Sequence, residues 1–261
     1  MDWKESFPKE NRYFETKDGI LYCGDALEIL PKIPSESVDL LITDPPYGIS
    51  KEGAKITRKR ISDVLLDFGE WDRQWQSDEE YFFWTEEWFK EVVRALKPKS
   101  WLFIFFDKQR LGIFDLFLAP KYGIKAKTIF VWIKTNPVPS FRKVNFVSST
   151  EFVWVGSKGE SKIKNFKSQK EMVNYFIYPN GSAYKETSHP TEKPLALIKH
   201  FVEIGSNEGE IVLDPFVGSG TTAIACEMLR RRWIGIEKNE EFCKGIVKRL
   251  QKGVQRSLWS K

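Results

Sequence analysis

The last seventy residues of the chain alternate strand-like and helix-like segments, and this alternation constrains the fold more than any other feature. The stretch "EIVLDPF" predicts a strand, and "VGSGTTAIACEMLRR" predicts a glycine turn that runs into a helix. A second strand, "WIGIE", and a second helix, "NEEFCKGIVKRL" with Asn239 as its cap, complete the pattern. This βαβα unit has the right length to hold a nucleotide-like ligand.

The same alternation runs through the first 160 residues, with no internal repeat. Apolar runs bounded by turn residues predict further strands at 19–23, 38–43, 101–106, 128–133 and 150–156. Ser77 and Glu80 form a capping box before a predicted helix that Pro98 is expected to close. The apolar stripe of this helix, which includes Trp84 and Trp88, is interpreted as core. The pattern indicates an α/β protein with a mostly parallel sheet.

Periodicity fades between residues 157 and 188, where charged residues, Asn and Gly become frequent. We interpret 157–188 as a small insert within a single domain that spans 1–261. The next predicted helix has Thr191 as its cap, Pro194 near its first turn and Gly205 at its end.

Charge and composition set further limits. The 261 residues include 41 Lys and Arg against 36 Asp and Glu, and the net charge of +5 permits binding to a polyanion without requiring it. Two segments, 51–60 and 157–170, each carry five basic residues against one acid. Each segment is either a solvated loop or a contact for nucleic acid.

The three cysteines lie far apart without a CxxC pair, so neither a disulfide framework nor a zinc ribbon is indicated. His189 and His200 lack partners at metal-ligand spacing, and no metal site is expected. The first 18 residues are charged throughout, and no apolar stretch approaches the roughly 20 residues that span a bilayer. We therefore expect a cytoplasmic protein that makes no use of a membrane.

The glycine turn "LDPFVGSGTT" can bring the main chain close to a ligand, because Gly218 and Gly220 can adopt backbone conformations closed to other residues. It falls short of the G-x-G-x-x-G phosphate fingerprint, since Ala223 holds the third position. Glu237 follows Gly218 by nineteen positions and can accept hydrogen bonds from two ribose hydroxyls. Asp214 ends the first strand and can pair with a cationic amine. Alternatively, this stretch is only a strand end and a tight turn.

The segment "TDPPYG" places Asp44, Pro45, Pro46 and Tyr47 directly after a predicted strand. In most proteins such a segment is a simple turn. It also suits one kind of chemistry, because an exocyclic base amine becomes nucleophilic only when acceptors engage both of its N–H bonds. The Asp44 carboxylate and the Pro45 carbonyl can supply them from a stiff backbone. Tyr47 can then stack on a base that has left the duplex.

Together these segments resemble the S-adenosylmethionine-dependent amino-methyltransferases of DNA. The resemblance covers most of the chain and rests on "TDPPYG", "HPTEKP" and "DPFVGSGTT", with "CGDALEIL" and "IGIEKNEEF" in support. The catalytic motif precedes the glycine turn by about 170 residues, which is the order of the permuted β group. The resemblance therefore implies a circularly permuted, Rossmann-like doubly wound mixed sheet of the class I methyltransferase type.

The resemblance also implies roles for particular residues. Asp44, Pro45, Pro46 and Tyr47 would be catalytic, and Asp25 would lie near the adenine of the cofactor S-adenosylmethionine. Lys193 would lie near the methionine end of the cofactor. The remaining predicted cofactor residues are Asp214, Phe216, Gly218, Ser219, Gly220, Thr221 and Glu237. The loop 51–75 would be flexible and cover the active site, and the insert 157–188 would recognise the target sequence.

The implied reaction is direct methyl transfer to the base, with no covalent enzyme intermediate. Aspartate at the first motif position favours N6 of adenine, while serine is typical of enzymes that act on N4 of cytosine, which remains the alternative. A non-catalytic nucleotide- or DNA-binding module is the alternative of another class. The expected partners are double-stranded DNA, a second copy of the chain as a homodimer, and a cognate restriction endonuclease.

Overall fold

A computed structural model describes residues 2–48, 75, 77–137, 139, 146–179 and 192–258, with only the backbone of 55–56, 64–65 and 253–258. The described strands are β1 (Arg12–Glu15), β2 (Gly19–Cys23), β3 (Val38–Thr43), β4 (Lys55–Ile56), β5 (Val64–Leu65), β6 (Leu96–Phe106), β7 (Ile124–Lys134), β8 (Thr150–Lys158), β9 (Tyr175–Tyr178), β10 (Ile211–Asp214) and β11 (Arg232–Glu237). The helices are α1 (Ala26–Ile29), α2 (Asp78–Ala95), α3 (Ala119–Lys121), α4 (Leu195–Gly205), α5 (Thr221–Leu229) and α6 (Glu240–Leu258). Short 3₁₀ turns span Trp3–Ser6 and Leu30–Lys32, and a π-helical turn, Phe114–Leu118, precedes α3.

One sheet of nine strands forms the centre of the molecule, in the order β1-β2-β11-β10-β3-β6-β8-β7-β9. The five strands from β2 to β6 are mutually parallel, β8 is antiparallel to both of its neighbours, and β1 is antiparallel to β2. Strand β10 lies beside β3, with Leu213 opposite Leu41, although β10 follows β3 by about 170 positions in the chain. The permuted order of motifs is therefore compatible with one continuous sheet.

Helices cover both faces of the sheet. Strand β3 is buried along its whole length, and its side chains alternate between two cores, with Leu41 on one face and Leu40 and Ile42 on the other. The first core packs against α1 and α2, and the second packs against α4, α5 and α6. Because both faces of the parallel strands are covered, these strands read as continuous apolar runs. The predicted doubly wound mixed sheet is confirmed.

Helix α2 begins as predicted but ends three residues earlier. Ser77 is its N-cap, and the side chain of Ser77 accepts a hydrogen bond from the backbone N–H of Glu80 at 3.1 Å. The helix ends at Ala95 because Leu96 is already extended and pairs with Val38 of β3. Pro98 lies within β6, where proline favours extended backbone in the residue before it.

Helix α4 begins later than predicted. Pro194 occupies the N-cap position instead of the first turn, and the first helical residue is Leu195. The fixed geometry of proline disfavours helical backbone in the preceding residue, which prevents an earlier start. Thr191, the predicted cap, lies outside the described residues.

Two edge strands, β1 and β9, have no counterpart among the predicted strands. Both are largely exposed, so neither shows the continuous apolar run that identified the central strands. Strand β9 comes from the predicted insert 157–188 and adds to the main sheet beside β7. Residues 180–188 of this insert, and nearly all of the predicted loop 51–75, lie outside the described residues. The functions assigned to the insert and to the loop stay predictions.

Candidate active site

The carboxyl ends of the parallel strands meet at one edge of the sheet and form a cleft of about 1090 Å³. The four predicted catalytic residues, Asp44, Pro45, Pro46 and Tyr47, line this cleft. So do eight of the nine predicted cofactor residues: Asp25, Lys193, Asp214, Phe216, Gly218, Ser219, Thr221 and Glu237. The ninth, Gly220, is not among the lining residues. The fold therefore brings the two halves of the predicted site, which are far apart in sequence, into one cleft.

The glycine turn between β10 and α5 has the backbone conformation that the sequence predicts. Gly218 has φ of 51° and Gly220 has φ of 81°, a region that favours glycine. Gly220 is the N-cap of α5, and a Cβ atom at this position would lie 3.0 Å from Ile246 of α6. Gly220 therefore serves the close packing of the turn on α6, while Gly218 faces the cleft.

Glu237, at the end of β11, is hydrogen-bonded to the glycine turn. Its Oε2 accepts the backbone N–H of Gly218 at 3.0 Å, and its Oε1 accepts the backbone N–H of Asn239 at 2.8 Å. Burial raises the pKa of Glu237 to about 7, and these two N–H groups offset only part of that effect. The acid predicted to follow the turn by nineteen positions thus contacts the turn directly.

Asp214, a second acid of the cleft, is buried, and its side chain is held by α5 and by the turn. Its Oδ2 accepts the hydroxyl of Thr222 at 2.6 Å, and its Oδ1 accepts the backbone N–H of Phe216 at 3.2 Å. Burial raises the pKa of Asp214 to about 7. Both acids thus favour the protonated form more than exposed carboxyl groups do.

Two side chains from outside the motif hold the "TDPPYG" turn. The hydroxyl of Tyr81, which is buried in α2, donates to the carbonyl of Pro46 at 2.8 Å. The guanidinium of Arg110 donates to the carbonyl of Tyr47 and lies 4.4 Å from the centre of the Tyr81 ring. Asp78 binds the same guanidinium at 2.5 Å. No sequence pattern pointed to Tyr81 or Arg110, because both act on backbone carbonyls.

Both carboxylate oxygens of Asp44 are engaged within the cleft. Its Oδ1 accepts the hydroxyl of Tyr47 at 2.6 Å, and its Oδ2 lies 2.5 Å from the Nζ of Lys193. Burial raises the pKa of Asp44, and Lys193 offsets part of the shift. Lys193, which was expected near the methionine end of the cofactor, thus contacts the predicted catalytic acid directly.

Glu151 and Lys134 extend this group of charges. The Nζ of Lys193 lies 3.4 Å from Oε2 of Glu151, and the Nζ of Lys134 lies 2.7 Å from Oε1 of Glu151. Neither residue was among the predicted site residues. A signal was present in the sequence, because Glu151 directly precedes the apolar run 152–155 of β8. The antiparallel direction of β8 places its start at the cleft.

Arg249 of α6 is a further residue that the sequence did not indicate. Its guanidinium donates to the carbonyl of Ser219 and to the hydroxyl of Thr221, both at 3.0 Å. It also pairs with Oε1 of Glu192 at 2.6 Å, and the side chains of Arg249 and Glu192 are 6% and 9% exposed. This buried pair joins the glycine turn to the segment that carries Lys193.

Asp25 and Phe216 both line the cleft. Asp25 caps α1 through the backbone N–H of Leu27 at 2.9 Å, and its other oxygen accepts the ammonium of Lys238 at 2.9 Å. The ring of Phe216 packs on Trp84 and Trp88 with centroid distances of 5.5 Å and 5.6 Å. Trp88 is fully buried as predicted, but Trp84 also lines the cleft.

Three of the five lysines in the basic segment 157–170 contact groups of the protein itself. Lys167 lies 3.9 Å from Glu203, and Lys158 and Lys164 make closer contacts. Lys158 donates to the carbonyls of Val93 and Leu96 at 2.9 Å and 2.7 Å. Lys164 pairs with Glu210 at 2.5 Å. These two lysines hold the start of the insert against the domain, which reduces the number available for a polyanion.

Among the described residues, no cluster of three His, Cys, Asp or Glu side chains has an arrangement that could hold a metal ion. The helices in the described part of the chain include none that is both long and apolar enough to cross a membrane.

Residues 38–249 match the family model described as DNA methylase, which covers most of the chain. The chain belongs to the DNA methylase family. The predicted class, an S-adenosylmethionine-dependent amino-methyltransferase of DNA, is therefore confirmed.

Among curated relatives, the type II methyltransferase M2.LlaDCHI of Lactococcus lactis subsp. cremoris is 31% identical to this methylase over 260 residues, with 94% of each chain covered. The type II methyltransferase M2.DpnII of Streptococcus pneumoniae is 30% identical, with 92% of each chain covered.

Solved structures share the fold of this methylase. The M1.HpyAVI–SAM complex is 29% identical, with a TM-score of 0.69, and the alignment covers 88% of this chain and 98% of that chain. The PvuII cytosine-N4-specific DNA methyltransferase is 22% identical, with a TM-score of 0.74 over 92% of this chain and 88% of that chain. These neighbours support the predicted class I methyltransferase fold.

Proposed function

We propose that the methylase transfers a methyl group from S-adenosylmethionine to the N6 amine of an adenine flipped out of double-stranded DNA. One observation carries the proposal. The "TDPPYG" turn, with the Asp44 carboxylate, lines the same cleft as the glycine turn with its two acids, Asp214 and Glu237. A site for a base amine and a site for a methyl donor are therefore adjacent.

The residues of the cleft fit the proposed cofactor. S-adenosylmethionine carries ribose hydroxyls and an ammonium group, which are hydrogen-bond donors that buried carboxylates can accept. Glu237 would bind the ribose hydroxyls, Asp214 the cationic methionine end, and Asp25 the region of the cofactor adenine. Phe216 and the backbone of Gly218, Ser219 and Thr221 would form the wall beneath the methionine end, with Gly220 setting the shape of the turn. When bound, the cofactor supplies an electrophilic methyl group and leaves as a neutral thioether.

The residues of the "TDPPYG" turn would act on the target base. The Asp44 carboxylate and the Pro45 carbonyl would accept the two N–H bonds of the amine, so that its nitrogen lone pair is freed from the ring and points at the methyl group. Pro45 and Pro46 restrict the backbone, and Tyr81 and Arg110 hold its carbonyl groups. Preorganised acceptors of this kind lower the barrier because they need no rearrangement during the reaction.

Stacking would hold the base in place. The ring of Tyr47 lies on the cleft wall, with its centroid 6.2 Å from that of Phe106. A base that is out of the duplex loses its stacking neighbours, and an aromatic ring replaces them.

Adenine is the proposed base because aspartate occupies the first position of the motif, at Asp44. The fold does not determine which base is methylated, because the cytosine-N4-specific neighbour has the same architecture. Cytosine N4 is the alternative.

The proposal also covers the biological role, the partners and the roles of the insert and the loop. Relatives named type II methyltransferases support a role in restriction and modification, with a cognate restriction endonuclease as a partner. The insert 157–188 would read the target sequence, the loop 51–75 would close over the flipped base, and the chain would form a homodimer in the cytoplasm.

Methylation of DNA with labelled S-adenosylmethionine tests the proposal. The purified protein is incubated with DNA of mixed sequence that has been amplified in vitro and carries no methylated base. The DNA is then digested to nucleosides, which are separated by mass. We expect the label in N6-methyl-2′-deoxyadenosine. Label in N4-methylcytosine would overturn the base assignment, and label found only on RNA would overturn the substrate.

A further inference from the structure

Four charged side chains form a row at the end of the cleft next to the "TDPPYG" turn. Lys134 lies 2.7 Å from Glu151, Glu151 lies 3.4 Å from Lys193, and Lys193 lies 2.5 Å from Asp44. Two cations and two anions alternate, so the row is neutral in total. The spacing is uneven, because Lys193 is much closer to Asp44 than to Glu151.

One oxygen of this row lacks a donor. Oε2 of Glu151 is buried and has no hydrogen-bond partner among the described residues. The Nζ of Lys193 is 3.4 Å away, which is beyond the usual length of an N–H to O hydrogen bond. A buried acceptor left without a donor costs about 1–3 kcal/mol, so such an atom is expected to have a purpose.

The arrangement conflicts with the proposed reaction. Asp44 is to accept an N–H of the base amine while Tyr47 donates to one of its oxygens and the Lys193 ammonium binds the other. Methyl transfer also places positive charge on the amine nitrogen. An ammonium group bound to the same carboxylate would oppose that charge, because like charges repel strongly in a buried site. Movement of Lys193 away from Asp44 before transfer would remove this repulsion and free the oxygen for the base amine.

We propose that Glu151 is a positioning residue that receives the ammonium of Lys193 when the target amine reaches Asp44. Lys193 would exchange Oδ2 of Asp44 for Oε2 of Glu151, and the freed oxygen would accept the N–H of the base. The exchange changes only hydrogen-bond partners, and no proton or covalent bond is transferred. The inference rests on the proposed function and adds a residue to it.

In the part of the chain that the structure describes, Asp44 and Glu151 are the two carboxylates within ion-pair distance of the Lys193 ammonium. The Lys193 side chain is 10% exposed, and its Nζ lies 5.1 Å and 5.9 Å from the ring centres of Phe105 and Tyr47. Burial lowers the pKa of Lys193, but Asp44 and Glu151 more than offset this and raise it, so the side chain keeps its charge. Lys134 holds the other oxygen of Glu151 and keeps this carboxylate in position.

The variant Glu151→Gln tests the inference, because it keeps the size of the side chain and removes its charge. The measurement is the single-turnover rate of methyl transfer to the in vitro amplified DNA at saturating S-adenosylmethionine, with the affinities for cofactor and DNA determined separately. We expect the rate to fall about tenfold or more while both affinities stay close to those of the wild type. The matched control is Glu86→Gln, another largely buried glutamate that pairs with a lysine, Lys121, but lies outside the cleft lining. It should transfer at the wild-type rate.

The double variant Glu151→Gln/Lys193→Met separates positioning from a general structural role. If Glu151 acts through Lys193, the double variant should transfer no more slowly than Lys193→Met alone. Losses that simply add, or a Glu151→Gln rate equal to that of the wild type, would overturn the inference. If Glu151→Gln does not fold, Glu151→Asp takes its place. This shorter carboxylate keeps its charge and should give an intermediate rate, and a wild-type rate would again overturn the inference.

The same assay distinguishes this inference from the proposed function. A wild-type protein that labels no DNA would refute the proposed function and the inference with it. A wild-type protein that labels DNA, together with an unaffected Glu151→Gln variant, would refute the inference alone. Label on cytosine N4 would change the base but would support the inference equally, because that base also presents an exocyclic amine.

Discussion

The hydroxyl of Tyr81 donates to the carbonyl of Pro46 at 2.8 Å and thereby ties helix α2 to the predicted catalytic turn. Tyr81 is 1% exposed, so the donor of this bond is shielded from water. The bond matters because the turn presents its acceptors through its backbone, and that backbone keeps its position only if its carbonyl groups are held.

The variant Tyr81→Phe removes this donor and little else. We expect a loss of about 0.5–1.5 kcal/mol in the free energy of unfolding, since a partly buried carbonyl loses its donor. The rate of methyl transfer should fall about tenfold, which corresponds to about 1.4 kcal/mol, while cofactor affinity is unchanged. Single-turnover kinetics and urea unfolding measure the two effects. An unchanged transfer rate would show that the bond does not position the turn.

The variant Asp44→Asn removes the charge of the proposed catalytic acid while keeping its shape. We expect transfer to fall by about 10²- to 10³-fold, the size of effect seen when one preorganised hydrogen-bond partner is lost from an active site. Cofactor binding, measured by calorimetry, should persist. A variant that still transfers methyl groups at the wild-type rate would show that the "TDPPYG" segment is only a structural turn.

Two acids of the cleft predict a pH dependence in the ligand-free protein. Burial raises the pKa of Asp214 and of Glu237 to about 7, above the ordinary values of 3.8 and 4.5. The folded state therefore binds more protons than the unfolded state between these limits, and the free energy of unfolding should decrease as the pH rises from about 4 to about 7. Urea unfolding across this range measures the trend, and Asp214→Asn should reduce it.

Cofactor binding should show the opposite trend. Ionised carboxylates accept hydrogen bonds from hydroxyl and ammonium groups better than protonated ones do, so affinity should rise with pH up to about 7. Titration of each acid can raise the cofactor affinity by at most about tenfold per pH unit. Calorimetric titrations with S-adenosylmethionine give the profile, and Glu237→Gln should make it shallower. An affinity that does not change between about pH 5 and pH 7 would contradict the raised pKa values.

The buried pair of Arg249 and Glu192 predicts a strong effect on stability. Arg249→Met removes the guanidinium that pairs with the buried Glu192 carboxylate, and breaking a buried ion pair in this way should cost about 3–5 kcal/mol of unfolding free energy. Cofactor affinity should also fall, because Ser219 and Thr221 of the glycine turn lose their donor. The double variant Arg249→Met/Glu192→Gln should recover part of the stability. A double variant no more stable than Arg249→Met would show that the buried charge of Glu192 is not the cause.

Basic residues in 51–60 and 157–170 should make DNA affinity fall steeply with salt, with a slope of about one log-log unit per phosphate contact. Two lysines of 157–170, one exposed and one bound to backbone carbonyls, provide a matched pair of variants. Lys170→Gln changes an exposed lysine and should reduce the slope by about one. Lys158→Gln changes a lysine that binds backbone carbonyls and should leave the slope unchanged. Fluorescence anisotropy with labelled duplex DNA measures both slopes, and a flat response in the wild type would support the solvated-loop interpretation.

The sequence by itself determined the central architecture, because buried parallel strands require continuous apolar runs and their helices require visible caps. Strands β2 and β3 lie at the predicted residues, and Ser77 caps α2 as predicted. The motifs could be assigned for a similar reason: a turn that brings backbone close to a ligand needs particular residues at fixed spacing, as at Gly218 and Glu237.

Only the tertiary structure decided which residues hold the site in place. Tyr81 and Arg249 act on backbone carbonyls, and any donor of the right reach can serve there, so no sequence pattern identifies them. The row from Asp44 through Lys193 to Glu151 joins three distant segments, which meet because β8 runs antiparallel and begins at the cleft. Local spacing determines strands, caps and turns, whereas the pairing of buried charges depends on which strand ends the sheet brings to one edge.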